Sequence, residues 1–382
     1  MRLAVRYPSS RWAVTRVTVN DQSTDSTPSK VAKVSITLPL RALGLPLLPV
    51  RKLCPLLVFV LFAYAVRLLV AILMRKHDLS SFRVLLALAN VFRTFTSFLS
   101  VVHVCLHYHS LHDVATKIRV TFGAHSPTLA RFTRLLAAFC VVCGVVVWSA
   151  LLLNAFGAPV QKKAYFSVQE VLLPLADTLL LSLSKTVPSL TVVPFVALCH
   201  MLSGSTLRFM SALESTSTKA VSSVSEIKAV LIGLSRASDV ASALNHTYGA
   251  MMSWWYADLT ASFLLCIPSC VLAATGNAHF SEYAFVLVDV VRDMTVFTTM
   301  TFVASDMAKN VSDSLHYALR VTNTIDERSM DLALLLKNLV YHIQDAKVEL
   351  TGAEFFIVDR ALMNRVLLLV STFAIILYQF LS

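Results

Sequence analysis

The chain has 382 residues, of which 56% are hydrophobic and 14% charged, and its mean hydropathy of +0.69 excludes a water-soluble globular domain. The net charge is +11, and the first 53 residues hold nine Lys and Arg against Asp21 and Asp25, which places +7 of that excess ahead of any long apolar run. Basic residues that flank apolar runs exclude a solvated nucleic-acid-binding domain and predict a cytoplasmic N-terminus.

The opening MRLAVRYPSSRWAV has no continuous apolar core, so no cleavable signal peptide is expected and the first membrane helix directs insertion. A spanning helix takes about 20 mostly apolar residues. Seven stretches qualify: 54–74, 84–108, 135–156, 171–203, 253–274, 284–304 and 363–381. The fourth is too long for one upright span and contains Pro174, Pro188 and Pro194, which predicts a single long, kinked helix. A re-entrant turn is its rival, and two full spans there would reverse the C-terminus.

With seven spans and an inside N-terminus, the connections at 109–134, 205–252 and 305–362 are cytoplasmic and the C-terminus is extracellular. Lys117, Arg119, Arg131 and Arg134 against Asp113 support this, as does the absence of Lys and Arg from 275–283. Between 305 and 362 apolar residues such as Leu332, Leu335, Leu336, Leu339 and Val340 recur at helical spacing, which predicts amphipathic helices in water. The expected fold is therefore an all-α polytopic membrane protein with a cytoplasmic helical bundle. Its parts are a basic segment (1–53), a six-helix transmembrane region (54–304), a helical anchor segment (305–362) and a last membrane helix (363–382). The sequons at Asn245 and Asn310 fall in cytoplasmic segments and should stay unglycosylated, whereas a G-protein-coupled receptor topology would expose both.

Little catalytic chemistry is legible. The seven cysteines show no secreted pairing pattern, and Cys140 and Cys143 lie in mid-membrane, where they read as packing. His103 and His107 stand one helical turn apart with His109 and His112 beyond, but the other histidines are scattered, so an interfacial helix end is expected and no metal. No Walker loop, dinucleotide fingerprint or nucleophile elbow occurs, so neither an enzyme nor a cofactor is implied. Nine glycines and no internal symmetry argue against a secondary transporter.

Charges inside the spans say more, since each costs about 2.5–3.5 kcal/mol at mid-bilayer on insertion scales. Arg67, Arg93, Asp289, Arg292 and Asp293 all fall there, and the helical rise puts Arg67, Arg93 and Asp293 at similar depth in the outer half. They form either an ion-pair network that holds helices together or the polar floor of an outward-opening ligand pocket completed by Trp148, Asn154 and Asp177. Trp254, Trp255 and Tyr256 read as interfacial belt residues. In the last helix, Arg365, Thr372 and Gln379 recur every seven residues and Ser382 joins them three later, so one polar stripe either bonds to a neighbouring helix or faces water in a channel.

TFAIILYQF (372–380) resembles the C-terminal signature of arthropod gustatory receptors: Thr-Tyr, five mostly hydrophobic residues, then Gln-Phe. GAEFFIVDRAL (352–362) is similar to the same family's approach to its last helix, with Phe355, Phe356 and Asp359 as its aromatic pair and acid. The two motifs cover about thirty residues. Phe373 stands where the family usually has Tyr, and Glu354 where a small residue is common, which marks a divergent member.

The resemblance implies a ligand-gated, nonselective cation channel of four identical or related subunits in the plasma membrane of a chemosensory neuron, opened by a small-molecule tastant. Thr372, Gln379, Phe380 and Ser382 would line the pore, with Phe380 the hydrophobic barrier at an extracellular gate and Gln379 a hydrogen-bonding lining. The tastant would occupy a separate outer pocket, for which Arg93, Trp148, Asn154, Asp289, Arg292 and Asp293 are the candidates. Permeating cations and the lipid bilayer are the remaining partners. A G-protein-coupled receptor is the alternative, but the third span ends in LLLNAFG with no Asp-Arg-Tyr-like motif, and the seventh lacks Asn-Pro-x-x-Tyr.

Overall fold

The computed structural model describes residues 50–75, 81–122, 127–157, 168–217, 224–274, 280–322 and 349–381. All lie in one compact unit, Ile36–Ser382. Eight helices are described: α1 (Val50–Arg75), α2 (Ser81–Leu106), α3 (Tyr108–Phe122), α4 (Pro127–Gly157), α5 (Val168–Ser217), α6 (Val224–Ala274), α7 (Phe280–Thr322) and α8 (Arg360–Leu381). Two short strands, β1 (Thr351–Gly352) and β2 (Phe356–Ile357), pair antiparallel just before α8.

Four helices are long and apolar enough to cross a membrane by themselves among the described residues, at Pro55–Met74, Ala87–Leu106, Arg131–Leu153 and Val171–Ser211. The fifth and sixth expected spans lie in α6 and α7, where Asp258, Asp289, Arg292 and Asp293 lower the hydropathy. Apolar side chains face outward as well as inward, and some polar ones are buried. Leu56, Phe59, Phe62, Leu69, Val70 and Leu73 of α1 point outward, while Thr94, Thr96, Ser97 and Ser100 of α2 are buried. Lipid tails solvate an apolar exterior as well as a core would, so packing and interhelical polar contacts hold such a bundle. The fold is an all-α polytopic membrane protein.

α5 is a single helix of 50 residues with Pro174, Pro188 and Pro194 inside it, in keeping with the long fourth helix expected. At 1.5 Å per residue, α5, α6 and α7, with 50, 51 and 43 residues, reach about 75, 75 and 65 Å, against a hydrocarbon core of about 30 Å. The stretches 205–217, 224–252 and 305–322 thus belong to the same helices, carried on beyond the length that a bilayer requires. Their facing surfaces hold the main apolar core, from Val192 to Leu202 of α5, Leu234 to Phe263 of α6 and Val296 to Leu315 of α7. The amphipathic stretch at 323–348 and most of the segment 1–53 lie outside the described residues.

Three expectations need correction. Residues 351–357 form a hairpin and not part of a helical bundle, because Gly352 admits the Phe356 ring so closely that an added Cβ would sit 2.3 Å from it. Trp255 and Tyr256 are core residues, only Trp254 being exposed, because the interior of α6 continues through that depth. Cys105 is disulfide-bonded, which the cysteine spacing did not announce.

Candidate functional site

The intramembrane charges meet inside the bundle. α2 supplies Arg93, α5 Lys185, α6 Asp258, and α7 Asp289, Arg292 and Asp293, and all six are buried. Arg93 donates from Nη2 to Asp293 Oδ2 at 2.6 Å and faces Asp258 at 3.5 Å and Asp289 at 3.6 Å. Arg292 bonds Asp293 Oδ1 through Nε at 3.1 Å and Nη2 at 2.9 Å, and its Nη2 lies 3.0 Å from Asp289 Oδ1. Lys185 is paired with Asp289. Three cations thus balance three carboxylates, which is how a membrane interior tolerates ions at all.

The local sequence explains the convergence. On α7, Asp289, Arg292 and Asp293 lie at i, i+3 and i+4 and so share a face. α4 approaches α5 closely because Gly144 lacks a side chain: an added Cβ would stand 2.5 Å from Thr186 Oγ1. Ser182 donates to the Gly144 carbonyl at 2.8 Å beside it, and Ser97 of α2 donates to the Ser184 carbonyl, which fixes the turn of α5 that carries Lys185. Below this layer Trp255 donates to Ser100 Oγ at 3.2 Å, and Tyr256 and Thr301 share a hydrogen bond at 2.7 Å.

Of the pocket candidates, Arg93, Asp289, Arg292 and Asp293 are brought together. Arg67 is not with them: it forms a bidentate pair with Asp177 between α1 and α5 at the exposed surface, which removes both from the buried group. Trp148 is half-buried on α4 with Nε1 buried and unpartnered, while the Asn154 side chain lies outside the described residues. Lys185 and Asp258 escaped the sequence reading. Their signal was present, since each is a lone charge within an apolar stretch, LLLSLSKTVPSL and YADLTASFLL. Within the network Arg292 Nη1 is buried without a hydrogen-bond partner, and Asp289 Oδ1 has only its 3.0 Å ion contact with Arg292 Nη2.

His103 and His107 stack at 4.4 Å between ring centroids near the end of α2, and among the described residues no three His, Cys, Asp or Glu converge in a metal-binding group. Both sequon asparagines sit inside helices and are engaged: Asn245 Oδ1 accepts from the Thr351 N–H at 2.8 Å, and Asn310 Nδ2 donates to Ser203 at 2.7 Å.

The hairpin gives the second motif a mechanical meaning. Its turn places Ala353 and Glu354 at φ of 47° and 64°, and the Phe355 N–H closes on the Gly352 carbonyl at 2.9 Å. Phe355 points out and Phe356 in, with the Phe356 ring edge-on to Tyr256 at 5.3 Å. The Ala353 N–H donates to the Gly249 carbonyl of α6 at 2.9 Å. Asp359 then caps α8 by accepting from the Leu362 N–H at 2.7 Å, and Arg360 bonds Asp306 of α7 at 2.5 Å while lying over the Phe302 ring. The start of the last helix is therefore tied to both α6 and α7.

α8 itself packs on α6 and α7 through Val366 and its half-buried neighbours Leu362, Met363 and Val370. Its exposed residues, among those described, are Arg360, Ala361, Asn364, Arg365, Leu368, Leu369, Ser371, Thr372, Ile375, Ile376 and Gln379. At about 100° per residue they occupy one arc of about 180°, with Thr372 and Gln379 near its centre. The Phe380 side chain and Ser382 lie outside the described residues.

No protein-family model matches the sequence, and no curated protein matches it either. Solved structures do. The insect olfactory receptor OR5 from Machilis hrabei, in complex with eugenol, superposes with a TM-score of 0.68 at 12% identity, covering 85% of this chain and 88% of that one. The two chains share a fold. A second structure of the same receptor matches with a TM-score of 0.67 at 12% identity over equal shares. At this identity the likeness concerns the path of the backbone alone, and the charged layer is described from this chain's own residues.

Proposed function

We propose that the chain is a chemoreceptor subunit of a ligand-gated, nonselective cation channel, in which four copies or related chains surround a pore lined by α8 and a small-molecule tastant opens it. The observation that carries this reading is the α8 surface. Within a single chain its exposed arc is centred on polar groups, whereas a helix facing only lipid would centre its exposed arc on apolar ones. Further copies seated around that arc would enclose Thr372 and Gln379 in water, with Phe380 one position on at the outer gate. The resemblance of the two C-terminal motifs to gustatory receptors and the fold shared with an olfactory receptor support the same reading. No observation favours the G-protein-coupled alternative.

The tastant pocket belongs in the outer half of the bundle, above the charged layer. There Arg292 Nη1 and Trp148 Nε1 offer two buried donors without hydrogen-bond partners, and Asn154 follows on α4. Ligand would act by shifting α7, to which the base of α8 is tied through Asp306 and Arg360. The site lies in the plasma membrane of a chemosensory cell.

The test is patch-clamp recording from cells that express this chain alone, exposed to sugars, bitter compounds, carbon dioxide and eugenol. Evoked cation currents are expected, and Gln379→Ala should alter conductance or gating at normal surface expression. Unchanged currents in a well-expressed Gln379 variant would sink the pore assignment.

A further inference from the structure

The polar stripe of α8 carries one group that the reading above leaves without a role. Arg365 is exposed, stands within about 20° of Thr372 and 40° of Gln379 around the helix, and has no hydrogen bond or ion pair among the described residues. Its neighbour Arg360, also exposed, differs in having partners, being bonded to Asp306 at 2.5 Å and laid over Phe302. From Arg360 to Leu381 the helix contains no Asp or Glu, so no carboxylate on α8 can neutralise Arg365. A guanidinium keeps its charge at any accessible pH, and an unpaired one on a membrane helix belongs where water reaches it. Arg365 lies five residues, or about 7.5 Å, beyond the first residue of α8.

We propose that Arg365 selects permeant ions by charge: copies of it around the pore form a cationic ring just inside the cytoplasmic mouth, which disfavours divalent relative to monovalent cations. This rests on α8 lining the pore. A ring of like charges repels a divalent ion twice as strongly as a monovalent one, and hydrated ions passing Thr372 and Gln379 must pass it too. For four charges about 10 Å from the axis, removing them should raise Ca²⁺ permeability relative to Na⁺ about two- to fifteenfold, the lower figure applying under full salt screening.

The experiment uses the purified full chain in planar bilayers, with the permeant ions as probes and with the unliganded openings that a two-state channel populates at about 0.1–10%. Reversal potentials under Na⁺/Ca²⁺ gradients give the permeability ratio. Arg365→Gln should raise it and Arg365→Lys should leave it near the native value. Arg365→Cys, treated after folding with a cationic thiol reagent, should return to the low native ratio, and an anionic reagent should drive it above that of Arg365→Gln. Thr372→Cys serves as the separate check on the pore, since the cationic reagent should block it. If Thr372→Cys currents are immune, or if the native chain never opens, the pore reading fails and the proposal falls with it. If Thr372→Cys is blocked but no change of charge at 365 moves the ratio, the pore stands and the selecting role of Arg365 is overturned, its charge then being held by lipid phosphate or a neighbouring subunit.

Discussion

Asp293→Asn puts the charged layer to its most direct test. Asp293 accepts three charge-assisted hydrogen bonds, one from Arg93 at 2.6 Å and two from Arg292 at 3.1 and 2.9 Å, and its side chain is 3% exposed. Asparagine keeps the shape and one acceptor oxygen but leaves three buried cations facing two carboxylates. Breaking a buried pair from one side costs about 3–5 kcal/mol, because the partner charge stays behind in a medium that cannot solvate it. For 382 residues the unfolding entropy near the midpoint is about 0.8 kcal/mol/K, so Tm should fall by about 4–6 °C. The assay is thermal unfolding of the detergent-solubilised protein followed by size-exclusion chromatography. Arg360→Gln is the control: it breaks a pair whose side chains are 60% and 45% exposed, for which about 0–1 kcal/mol and a shift near 1 °C are expected. In the double variant Arg93→Met, Asp293→Leu the charges balance again, and its loss should be smaller than the sum of the single losses by about 2 kcal/mol. Equal shifts for Asp293→Asn and Arg360→Gln, or strict additivity in the double variant, would refute the view that charge balance holds this layer together.

Other residues make separate predictions. Glu354→Gly should raise Tm by about 1–2 °C in the same assay, since glycine removes a left-handed strain worth about 1–2 kcal/mol at a φ of 64°, and an unchanged or lower Tm would deny that strain. Gly352→Ala should displace the Phe356 ring from Tyr256 and lower Tm by about 1–4 °C, from an overpacking cost of about 1–3 kcal/mol. Asn245→Ala strips the Thr351 N–H of its acceptor and should cost about 1–3 kcal/mol; a shift below 1 °C would mean that the hairpin does not depend on this bond. In cells, Arg292→Ala should lower surface expression or ligand response before it changes conductance, while Gln379→Ala should change conductance at normal expression. The reverse pattern would exchange their roles.

The sequon test of topology looks different in the folded chain. Asn245 and Asn310 are held by Thr351 and Ser203, so a glycan on either would have to break the α6–hairpin or α5–α7 contact as well as reach the lumen. Silence at both sites is therefore weaker support for an inside N-terminus than their sequence positions suggest. A glycan at either one would still overturn it.

Sequence alone determined the class of this protein, because hydropathy, span length and basic flanks are summed along the chain and need no knowledge of neighbours. Likewise the polar stripe of the last helix follows from a seven-residue recurrence that any α-helix turns into one face, and the signature Gln379 and Thr372 lie at the centre of the exposed arc. Tertiary structure decided the partners. Arg67 and Arg93 share a depth and a charge in the sequence, yet one pairs with Asp177 at the surface and the other enters a layer with Lys185 and Asp258, because only helix packing sets which charge an arginine can reach. The motif around Phe355 and Phe356 reads as a prelude to a helix until α6 supplies Gly249 and Asn245 as docking partners from more than 100 residues away. Such contacts leave no periodic trace along the chain. What one chain's packing still leaves uncovered, the arc of α8, is the surface on which the proposed assembly depends.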